Sequence, residues 1–198
     1  MGRHKNYDRE TIAQKAMEVF WREGYHGTST QALVEAMGVN RFSVYAEFGN
    51  KQNLYEAALE AYDKDVVATH FQALESARAS LQDIEALLLG LTDASGQPGS
   101  ELGCFMCNCA TERGPYDPGS QRFVHRHVDR ISAALAHALD NAQKAQEIRA
   151  DVDVVQQGQF LATLLLGVYV LLRAQVSAAV VQASTESALQ HLRQLRTS

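Results

Sequence analysis

Apolar residues recur at helical spacing along most of the chain, and no stretch shows the strict alternation of a half-buried strand. Near the N-terminus, Ile12, Ala16, Val19 and Phe20 fall on one face of a helix. The pattern therefore predicts an all-α protein of about nine helices. The predicted helices cover residues 8–23, two short helices within 28–50, and then 51–77, 81–94, 104–112, 119–145, 151–180 and 185–195.

Residues 24–54 carry the most specific local signal, two short helices separated by a glycine. Gly38 follows the apolar face of the first short helix, and Asn40 can cap the second. Thr28 and Ser29 offer hydroxyl groups where the first short helix begins. A glycine-containing turn between two short helices is typical of helix-turn-helix proteins, whose second helix enters the major groove of DNA.

The first turn of that second helix carries the side chains that we expect nearest the base edges. Arg41 can bind guanine through two hydrogen bonds, Asn40 can pair with adenine, and Phe42 can contact a thymine methyl group. Ser43 lies beside them. The alternatives are that Arg41 is a solvated charge and that Tyr45, one turn further on, only packs.

The segment resembles the DNA-binding domain of the TetR/AcrR family of bacterial transcriptional repressors. The matching residues are Gly24, Tyr25, Thr28, Ser29, Gly38, Val39, Ser43, Tyr45, Phe48, Lys51 and Leu54. The resemblance implies that Thr28, Ser29, Tyr45 and Lys51 contact phosphates. It also implies a helix-turn-helix domain over 1–52, linked by the helix at 51–77 to a C-terminal helical ligand-binding and dimerisation domain over 53–198.

The same resemblance implies the function and the partners. The chain is expected to be a dimeric transcriptional repressor that binds a near-palindromic double-stranded DNA operator and leaves it when a small-molecule or thiol-reactive effector acts. We expect no enzyme activity, no cofactor and no bound metal. The alternative is a cysteine-dependent redox or nucleophilic enzyme of helical fold, for which no phosphate loop or paired acids are seen in the sequence.

The last two helices are the expected dimer surface, because their apolar face is wider than one core needs and the family dimerises through this pair. Small residues such as Gly158 would permit close helix approach. The alternative is a core within one chain. The expected interface residues are Phe160, Leu164, Gly167, Val168, Leu171, Leu172, Leu189 and Leu192.

Charge and hydropathy limit the setting in which the chain works. The net charge of the 198 residues is −5, but residues 1–52 hold seven Lys/Arg and six Asp/Glu, a balance of +1. A short basic arm at residues 3–5 precedes the first helix. The N-terminus lacks an apolar leader, and the longest apolar run, 160–172, is shorter than the roughly 20 residues of a membrane span. We therefore expect a cytoplasmic protein without a membrane partner.

Three cysteines lie close together at positions 104, 107 and 109, an odd count that argues against a secreted disulfide framework. At about 100° per residue, Cys104 and Cys107 share a helix face, but Cys109 does not. One straight helix therefore cannot direct all three at a single metal ion. Cys104 follows Gly103 at a predicted helix N-terminus, where the helix dipole favours a thiolate.

Two interpretations of the cysteines are favoured, small apolar residues in a core or thiols that sense oxidants or electrophiles. A metal site would need a further ligand from elsewhere in the chain, such as His125 or His127. By the resemblance, an effector pocket would lie among helices four to eight. The candidate lining residues are Cys104, Phe105, Met106, Cys107, Phe123, His127, Phe160 and Tyr169.

Overall fold

The computed structural model describes residues 8–197, and regular structure in that range is helical apart from one isolated β-bridge between Ile148 and Arg196. The all-α prediction is confirmed. The helices are α1 (Arg9–Gly27), α2 (Thr30–Met37), α3 (Arg41–Phe48), α4 (Lys51–Tyr62), α5 (Ala68–Phe71), α6 (Leu81–Ala94), α7 (Phe105–Glu112), α8 (Pro118–Lys144), α9 (Val154–Arg173) and α10 (Ala178–Leu195). A π-helical turn, Asp63–Val67, joins α4 to α5, so these three segments form one continuous helix.

Side-chain caps explain where several helices begin. Asp8, Ser29, Asn40, Asn50 and Asp153 each accept a hydrogen bond from a backbone N–H in the first turn of the helix that follows. Each cap satisfies a donor that the helix itself leaves without a partner. These are the short polar residues that make helix starts readable from sequence.

The chain divides into two compact units, and the division differs from the predicted one at residue 52. The N-terminal unit runs through Thr69 and also includes Asn108–Val124, whereas the C-terminal unit comprises His70–Cys107 and the residues from His125 onward. Helices α7 and α8 therefore contribute residues to both units. Local sequence patterns do not predict that these two helices are shared between the units, because the division depends on contacts between distant parts of the chain.

The N-terminal unit is built around aromatic side chains of α1 and α4. Phe20 meets Tyr55 edge to face, with ring centroids 5.0 Å apart, and Trp21 meets Tyr62 at 4.9 Å. Leu33 and other apolar side chains of α2 and α3 complete this core. The buried residues of the two short helices are Leu33, Met37, Val44 and Phe48.

The C-terminal unit buries the apolar faces of α6, of most of α8, and of α9 and α10. Gly158 on α9 allows close packing against α8, since a Cβ atom there would lie 2.7 Å from the Ser132 carbonyl oxygen. The close approach that the sequence placed at a dimer surface is thus a contact within one chain. Thr92 and Thr185 link α6 and α10 through hydroxyl groups 2.6 Å apart.

Three predicted helix boundaries were wrong. The fourth helix, expected to reach residue 77, ends at Phe71 and is followed by turns. The helix expected over 151–180 ends at Arg173, because Gln175 adopts a left-handed backbone with φ of 53°, and α10 begins at Ala178 rather than Thr185. The helical spacing of apolar residues continues across such breaks, so the sequence pattern predicted one helix where the structure has a helix followed by a turn.

Helix α9 is long and apolar enough to cross a membrane by length and composition alone, with a mean hydropathy of 1.5. Its buried residues include Leu161, Leu165 and Val168, which pack inside the C-terminal unit. Core helices of soluble proteins have the same composition, so this property is weak evidence for a membrane span.

Candidate nucleic-acid interface and effector site

The turn between α2 and α3 is fixed by Gly38. Its backbone is left-handed, with φ of 69°, and its N–H donates to the Val34 carbonyl oxygen at 3.0 Å. A side chain would strain this conformation, so glycine suits the position. Val44 and Phe48 are buried and hold the inner face of α3 in the core. The opposite face of α3 is therefore directed to solvent.

The exposed first turn of α3 carries the residues predicted to read bases. Phe42 is 84% exposed, an unusual position for a large apolar ring in a folded domain. Arg41 is exposed and lies over the Tyr45 ring, 5.6 Å from its centroid. Asn40 caps α3 by accepting a hydrogen bond from the Ser43 N–H at 2.9 Å, so its carbonyl oxygen already has a structural role.

At the start of α2, the structure separates two neighbours that the sequence grouped together. Ser29 is exposed and caps α2, accepting from the Ala32 N–H at 3.0 Å. Thr28 is only 1% exposed, and its hydroxyl donates to the Gly24 carbonyl oxygen. Its side chain therefore supports the loop instead of presenting a hydroxyl to DNA, which revises its predicted role. Thr30 pairs with the Tyr45 hydroxyl at 3.1 Å.

Lys51, a predicted phosphate contact, ties down the loop before α2. Its Nζ donates to the carbonyl oxygens of Tyr25 and Thr28, both at 2.6 Å, and lies 4.5 Å from the centre of the Tyr25 ring. Desolvation lowers the pKa of Lys51, and the Glu112 carboxylate partly opposes that effect. The ammonium group has three N–H bonds, so one donor remains beyond these two carbonyl contacts.

Glu112, at the end of α7, is a contact that the sequence analysis missed. Its two carboxylate oxygens accept from the N–H groups of Tyr25 and His26, at 2.9 and 2.7 Å. Gly24 makes this possible, because its φ of 75° turns the chain and a Cβ there would lie 2.9 Å from the carboxylate. We call this arrangement the Glu112 cap. Its partners are 86 and 87 residues away, so no local spacing could reveal it.

Arg113 reinforces the Glu112 cap from the neighbouring position. Its guanidinium lies 4.1 Å from the centre of the Tyr25 ring and donates to the Gln52 side-chain oxygen at 2.7 Å. Asp117 lies 3.7 Å from Arg113 and accepts from Gln52 at 2.6 Å. Burial raises the pKa of Asp117, but hydrogen bonds from Ser120 and Gln52 outweigh it and leave the pKa below its ordinary value.

The basic arm predicted at residues 3–5 lies outside the described residues. Among the residues described, the candidate DNA-facing surface is therefore the exposed set of Ser29, Asn40, Arg41 and Phe42 with the half-buried Ser43, Tyr45 and Lys51.

The C-terminal unit brings together most of the candidate effector residues. Cys104 is 1% exposed, and its sulfur lies 3.5 Å from Nε2 of His127 on α8, which is 3% exposed. Phe105, Met106 and Cys107 are also buried. The sequence analysis had placed Cys104 and His127 in the same region but had not predicted that they touch.

Gly103 sets the position of Cys104. Its φ is 60°, and a Cβ atom there would lie 2.7 Å from the Tyr169 carbonyl oxygen of α9. Only a glycine lets the chain pass this close to α9 before α7 begins. The Gly-Cys pair therefore has a structural explanation, independent of any chemistry at the thiol.

Cys107 and Tyr169 are held in their neutral forms. A hydrogen bond with Cys104 raises the pKa of Cys107 far above its ordinary value, and burial raises it further. Burial also raises the pKa of Tyr169, and the charge of a Cys104 or Cys107 thiolate would add to that effect. Cys107 and Tyr169 therefore keep their protons at neutral pH.

Two candidate pocket residues lie elsewhere. Phe123 belongs to the N-terminal unit, where it lines an open groove of about 710 Å³ with residues of α1, α3 and α4. Phe160 is 46% exposed, and its ring meets that of His191 on α10 at 5.0 Å. Because Phe160 is exposed on the outer face of α9, it does not line a buried pocket.

The expected dimer residues also divide by burial. Phe160 and Gly167 are exposed, and Leu164, Leu171 and Leu189 are half-buried. Val168, Leu172 and Leu192 are buried within the single chain, so the sequence pattern mixed core and surface positions. Helical periodicity marks an apolar face but does not say which part of it a neighbouring helix already covers.

Cys109 belongs to the N-terminal unit, whereas Cys104 and Cys107 belong to the C-terminal unit. Burial raises the pKa of the Cys109 thiol, although hydrogen bonds with Tyr55 and Ser120 oppose that effect. All three cysteines are thiols and not halves of a disulfide. Within residues 8–197, no group of three or more His, Cys, Asp or Glu side chains is arranged to hold a metal ion.

Two family models match the chain. Residues 12–58 match the model described as "Bacterial regulatory proteins, tetR family", and residues 80–188 match "Tetracyclin repressor-like, C-terminal domain". The first covers the helices that frame the candidate DNA-facing surface. The second includes Cys104 and the helices that bury it.

Two bacterial transcriptional regulators are similar to this chain over most of their lengths. The HTH-type transcriptional repressor ComR of Escherichia coli is 33% identical over 182 residues, 89% of this chain and 84% of that protein. The HTH-type transcriptional regulator YezE of Bacillus subtilis is 30% identical over 162 residues, 81% of this chain and 84% of that protein.

Solved structures share the fold. A cysteine variant of the TetR family regulator CifR, bound to a 26-base-pair operator, superimposes with a TM-score of 0.78 at 28% identity, covering 95% of this chain and 98% of CifR. A TetR regulator from Chloroflexus aurantiacus superimposes with a TM-score of 0.83 at 22% identity, covering 96% of each chain, and supports the fold alone.

Proposed function

Since this chain belongs to the tetR family of bacterial regulatory proteins and is a DNA-binding transcriptional regulator, we propose that it is a homodimeric repressor released from its operator by an effector acting in the C-terminal unit. The observation that carries the DNA-reading part is the exposed first turn of α3, where Arg41 and Phe42 face solvent on a helix whose other face is buried. ComR, a named repressor, and CifR, which is solved with operator DNA, support the assignment.

Dimerisation explains how a protein with one small helix-turn-helix per chain can recognise a long DNA site. A two-fold dimer presents two copies of α3 to two half-sites, so its operator is near-palindromic. The proposed surface is the outer face of α9 with α10, where exposed apolar side chains concentrate. These are Val155, Phe160, Val170 and Val180, with the half-buried Leu164, Leu171 and Leu189 beside them.

The test of the proposed function is selection of genomic DNA fragments by the purified protein, followed by retardation of the selected fragment. We expect a near-palindromic site bound by two chains at physiological salt. A reporter gene behind that site should be silenced by the protein, which distinguishes repression from activation. Binding that depends only on salt and not on sequence would contradict the proposal.

A cysteine-dependent enzyme remains the alternative, and the Cys104–His127 contact is the observation that favours it. However, the Nδ1 atom of His127 is buried and has no hydrogen-bond partner among the described residues. Catalytic imidazoles are ordinarily oriented by a third group at that nitrogen. The arrangement fits a thiol that reacts once better than one that turns over, and a multiple-turnover assay with thiol-reactive esters distinguishes the two.

A further inference from the structure

We infer that Thr30 is a positioning residue for base recognition, because its hydroxyl fixes the Tyr45 ring and that ring orders the guanidinium of Arg41. The inference rests on the proposed function, since it assigns a source of base preference within the candidate DNA-facing surface. Thr30 is the first residue of α2, and it acts on recognition only through these two side chains of α3.

The place of Thr30 on α2 suits an apolar side chain. Thr30, Leu33 and Met37 are spaced three and four residues apart, so they share one face of the helix. Leu33 and Met37 are buried on that face, and Thr30 is half-buried at its end. A valine has nearly the same shape and would fill this place with methyl groups alone. The hydroxyl group is what distinguishes threonine here, and it has a specific partner.

That partner is the phenol of Tyr45 on α3. The Thr30 Oγ1 and the Tyr45 hydroxyl oxygen lie 3.1 Å apart, and either atom can donate. The hydrogen bond ties the outer end of the ring to α2, while the backbone of Tyr45 is held in α3, where its carbonyl oxygen accepts from the Gly49 N–H at 2.8 Å. The side chain is thus held at both ends, which restricts its χ1 torsion and fixes where the ring lies.

The Tyr45 ring in turn lies under the guanidinium of Arg41. The two residues are four positions apart on α3, so their side chains share a face of the helix. The guanidinium carbon lies 5.6 Å from the ring centre, a cation–π contact at an exposed site. Such a contact is weak, so it orders the guanidinium only when the ring itself stays in place. The hydrogen bond from Thr30 meets that condition.

The hydroxyl pair can persist when the protein is bound to DNA. Two hydroxyl groups carry two O–H protons, and the bond between Thr30 and Tyr45 uses one of them, whichever oxygen donates. The other proton remains for an acceptor such as a phosphate oxygen. A phosphate contact at Tyr45 therefore does not require the pair to break, and the ring keeps its place while Arg41 meets the base edges.

Order at Arg41 affects base preference more than general affinity. Guanine is recognised by two parallel hydrogen bonds of fixed geometry, so the guanidinium must adopt one orientation to form them. A guanidinium that samples many orientations loses that freedom when it binds guanine, whereas it keeps more of its freedom beside a base that it does not recognise. Loss of the Thr30 hydroxyl should therefore reduce the advantage of guanine over other bases.

The test measures dissociation constants for the operator fragment that the protein selects, and for the same fragment with each guanine–cytosine pair replaced in turn by adenine–thymine. The pair whose replacement Arg41→Ala no longer detects is the one that Arg41 recognises. At that pair, Thr30→Val should lower the discrimination ratio about three- to tenfold, a part of the roughly 5–150-fold that a bidentate contact provides. Affinity for random DNA should change less than about twofold.

Two control variants separate the hydroxyl group from packing. Thr30→Ser keeps the hydroxyl and loses a methyl group, so it should retain the discrimination ratio of the parent protein. Thr69→Val removes an exposed hydroxyl that bonds with the Asp65 carbonyl oxygen in the same unit, and it should also leave the ratio unchanged. A loss in Thr30→Ser equal to that in Thr30→Val would assign the effect to packing and overturn the inference.

Two double variants decide whether Thr30 acts through Tyr45 and Arg41. Tyr45→Phe removes the same hydrogen bond, so adding Thr30→Val to it should lower the discrimination ratio no further. Adding Thr30→Val to Arg41→Ala should likewise have no effect on the ratio. Additive losses in either background would mean that Thr30 contacts DNA by itself, which overturns the inference. An unchanged ratio in Thr30→Val, or in Arg41→Ala at every pair, would overturn it as well.

A measurement on the free protein distinguishes the inference from the proposed function. Nitrogen relaxation of the Arg41 Nε–H group reports how ordered the guanidinium is. It should be ordered in the parent protein and in Thr30→Ser, and more mobile in Thr30→Val and Tyr45→Phe. Equal order in all of them would overturn the inference and leave operator binding and repression as separate results. If order falls in Thr30→Val but the protein selects no near-palindromic site, the positioning stands and the proposed function fails.

Discussion

Arg41 and Phe42 are the residues whose surroundings say most about DNA recognition. Both are exposed on the first turn of α3, and neither contributes to the core. Arg41 rests over the Tyr45 ring, which holds the guanidinium near the helix surface. Such preorganisation reduces the side-chain entropy lost on binding and is typical of arginines that recognise a base edge.

Replacing Arg41 with Ala should weaken operator binding by about 1–3 kcal/mol and relax the preference at one base position if the residue binds guanine. Arg41→Lys keeps the charge but loses the forked geometry, so it should recover general affinity without base preference. Retardation on the operator and on substituted operators measures both effects. Equal losses on operator and random DNA for Arg41→Ala would limit the residue to a phosphate contact.

Lys51 should combine a structural and an electrostatic role. Lys51→Met removes two hydrogen bonds to the carbonyls of Tyr25 and Thr28, so unfolding free energy should fall by roughly 1–3 kcal/mol. If the ammonium also contacts a phosphate, affinity should fall on all sequences and the salt slope should decrease by about one. Denaturant unfolding and a salt titration measure the two roles separately, and an unchanged slope would leave only the structural one.

At the scale of elements, α7 has different contacts at its two ends. The thiol that precedes it belongs to the C-terminal unit, and its last residue supplies the Glu112 cap in the N-terminal unit. The cap satisfies backbone donors of Tyr25 and His26, which lie just beyond the turn at Gly24. Hydrogen bonds to a carboxylate are about twice as strong as neutral ones, so this end of α1 depends on the charge.

Glu112→Gln should weaken the cap with little change in shape. The amide offers one acceptor oxygen in place of two, so the N–H groups of Tyr25 and His26 should exchange with solvent faster, and operator affinity should fall. Hydrogen exchange resolved by residue is the measurement. Glu35→Gln, whose carboxylate accepts from Gln31 on the same helix, is the matched control and should leave those two amides unchanged. Unchanged exchange of the Tyr25 and His26 amides in Glu112→Gln would contradict the prediction that the Glu112 carboxylate protects them.

The packing of α8 against α9 should be equally sensitive to a single methyl group. Gly158→Ala places a Cβ 2.7 Å from the Ser132 carbonyl oxygen and 2.8 Å from Ala136, so the helices must separate. Overpacking of this kind costs about 1–3 kcal/mol of unfolding free energy. Gly90→Ala, in α6 with open space around it, should be neutral or stabilising by up to about 1 kcal/mol. Denaturant unfolding measures both, and equal effects would contradict the close contact.

At the scale of the whole molecule, the proposed dimer rests on the outer face of α9. Its inner face is covered by the chain itself, through residues such as Val168 and Leu172. On the outer face, Phe160 and Val170 remain about half exposed. Exposed apolar side chains on one helix of a folded protein favour an interaction site there, and a second copy placed by a two-fold axis would cover them in both chains.

Leu164→Glu should therefore dissociate the proposed dimer. An unpaired charge in an apolar interface costs several kcal/mol, whereas the half-buried position can hold Glu in a monomer. Sedimentation should show monomers that keep their helical content and bind the operator weakly. Leu89→Glu, at an exposed apolar position on α6, should stay dimeric. A Leu164→Glu protein that sediments as a dimer would place the interface elsewhere.

Local sequence determined the helical class, the helix-turn-helix and most helix starts, because periodicity and capping act within a few residues. The cap at Asn40, the turn at Gly38 and the bounds of α6 were all predicted from the sequence and are confirmed. The family resemblance of residues 24–54 rests on the same short-range pattern. These features survive because the hydrogen bonds and torsion angles that produce them involve neighbours in the chain.

Only the tertiary structure decided which side chains meet. It buried Thr28, turned Lys51 toward two carbonyls, gave α1 its cap from Glu112 and placed the Cys104 thiol against His127. It also divided the apolar face of α9 into core and surface. Each of these contacts joins residues brought together by packing of several helices, and the hydrophobic effect that drives such packing is non-directional. Spacing along the chain therefore predicts which residues are candidates for a site, while the packing of the helices determines which side chains contact one another.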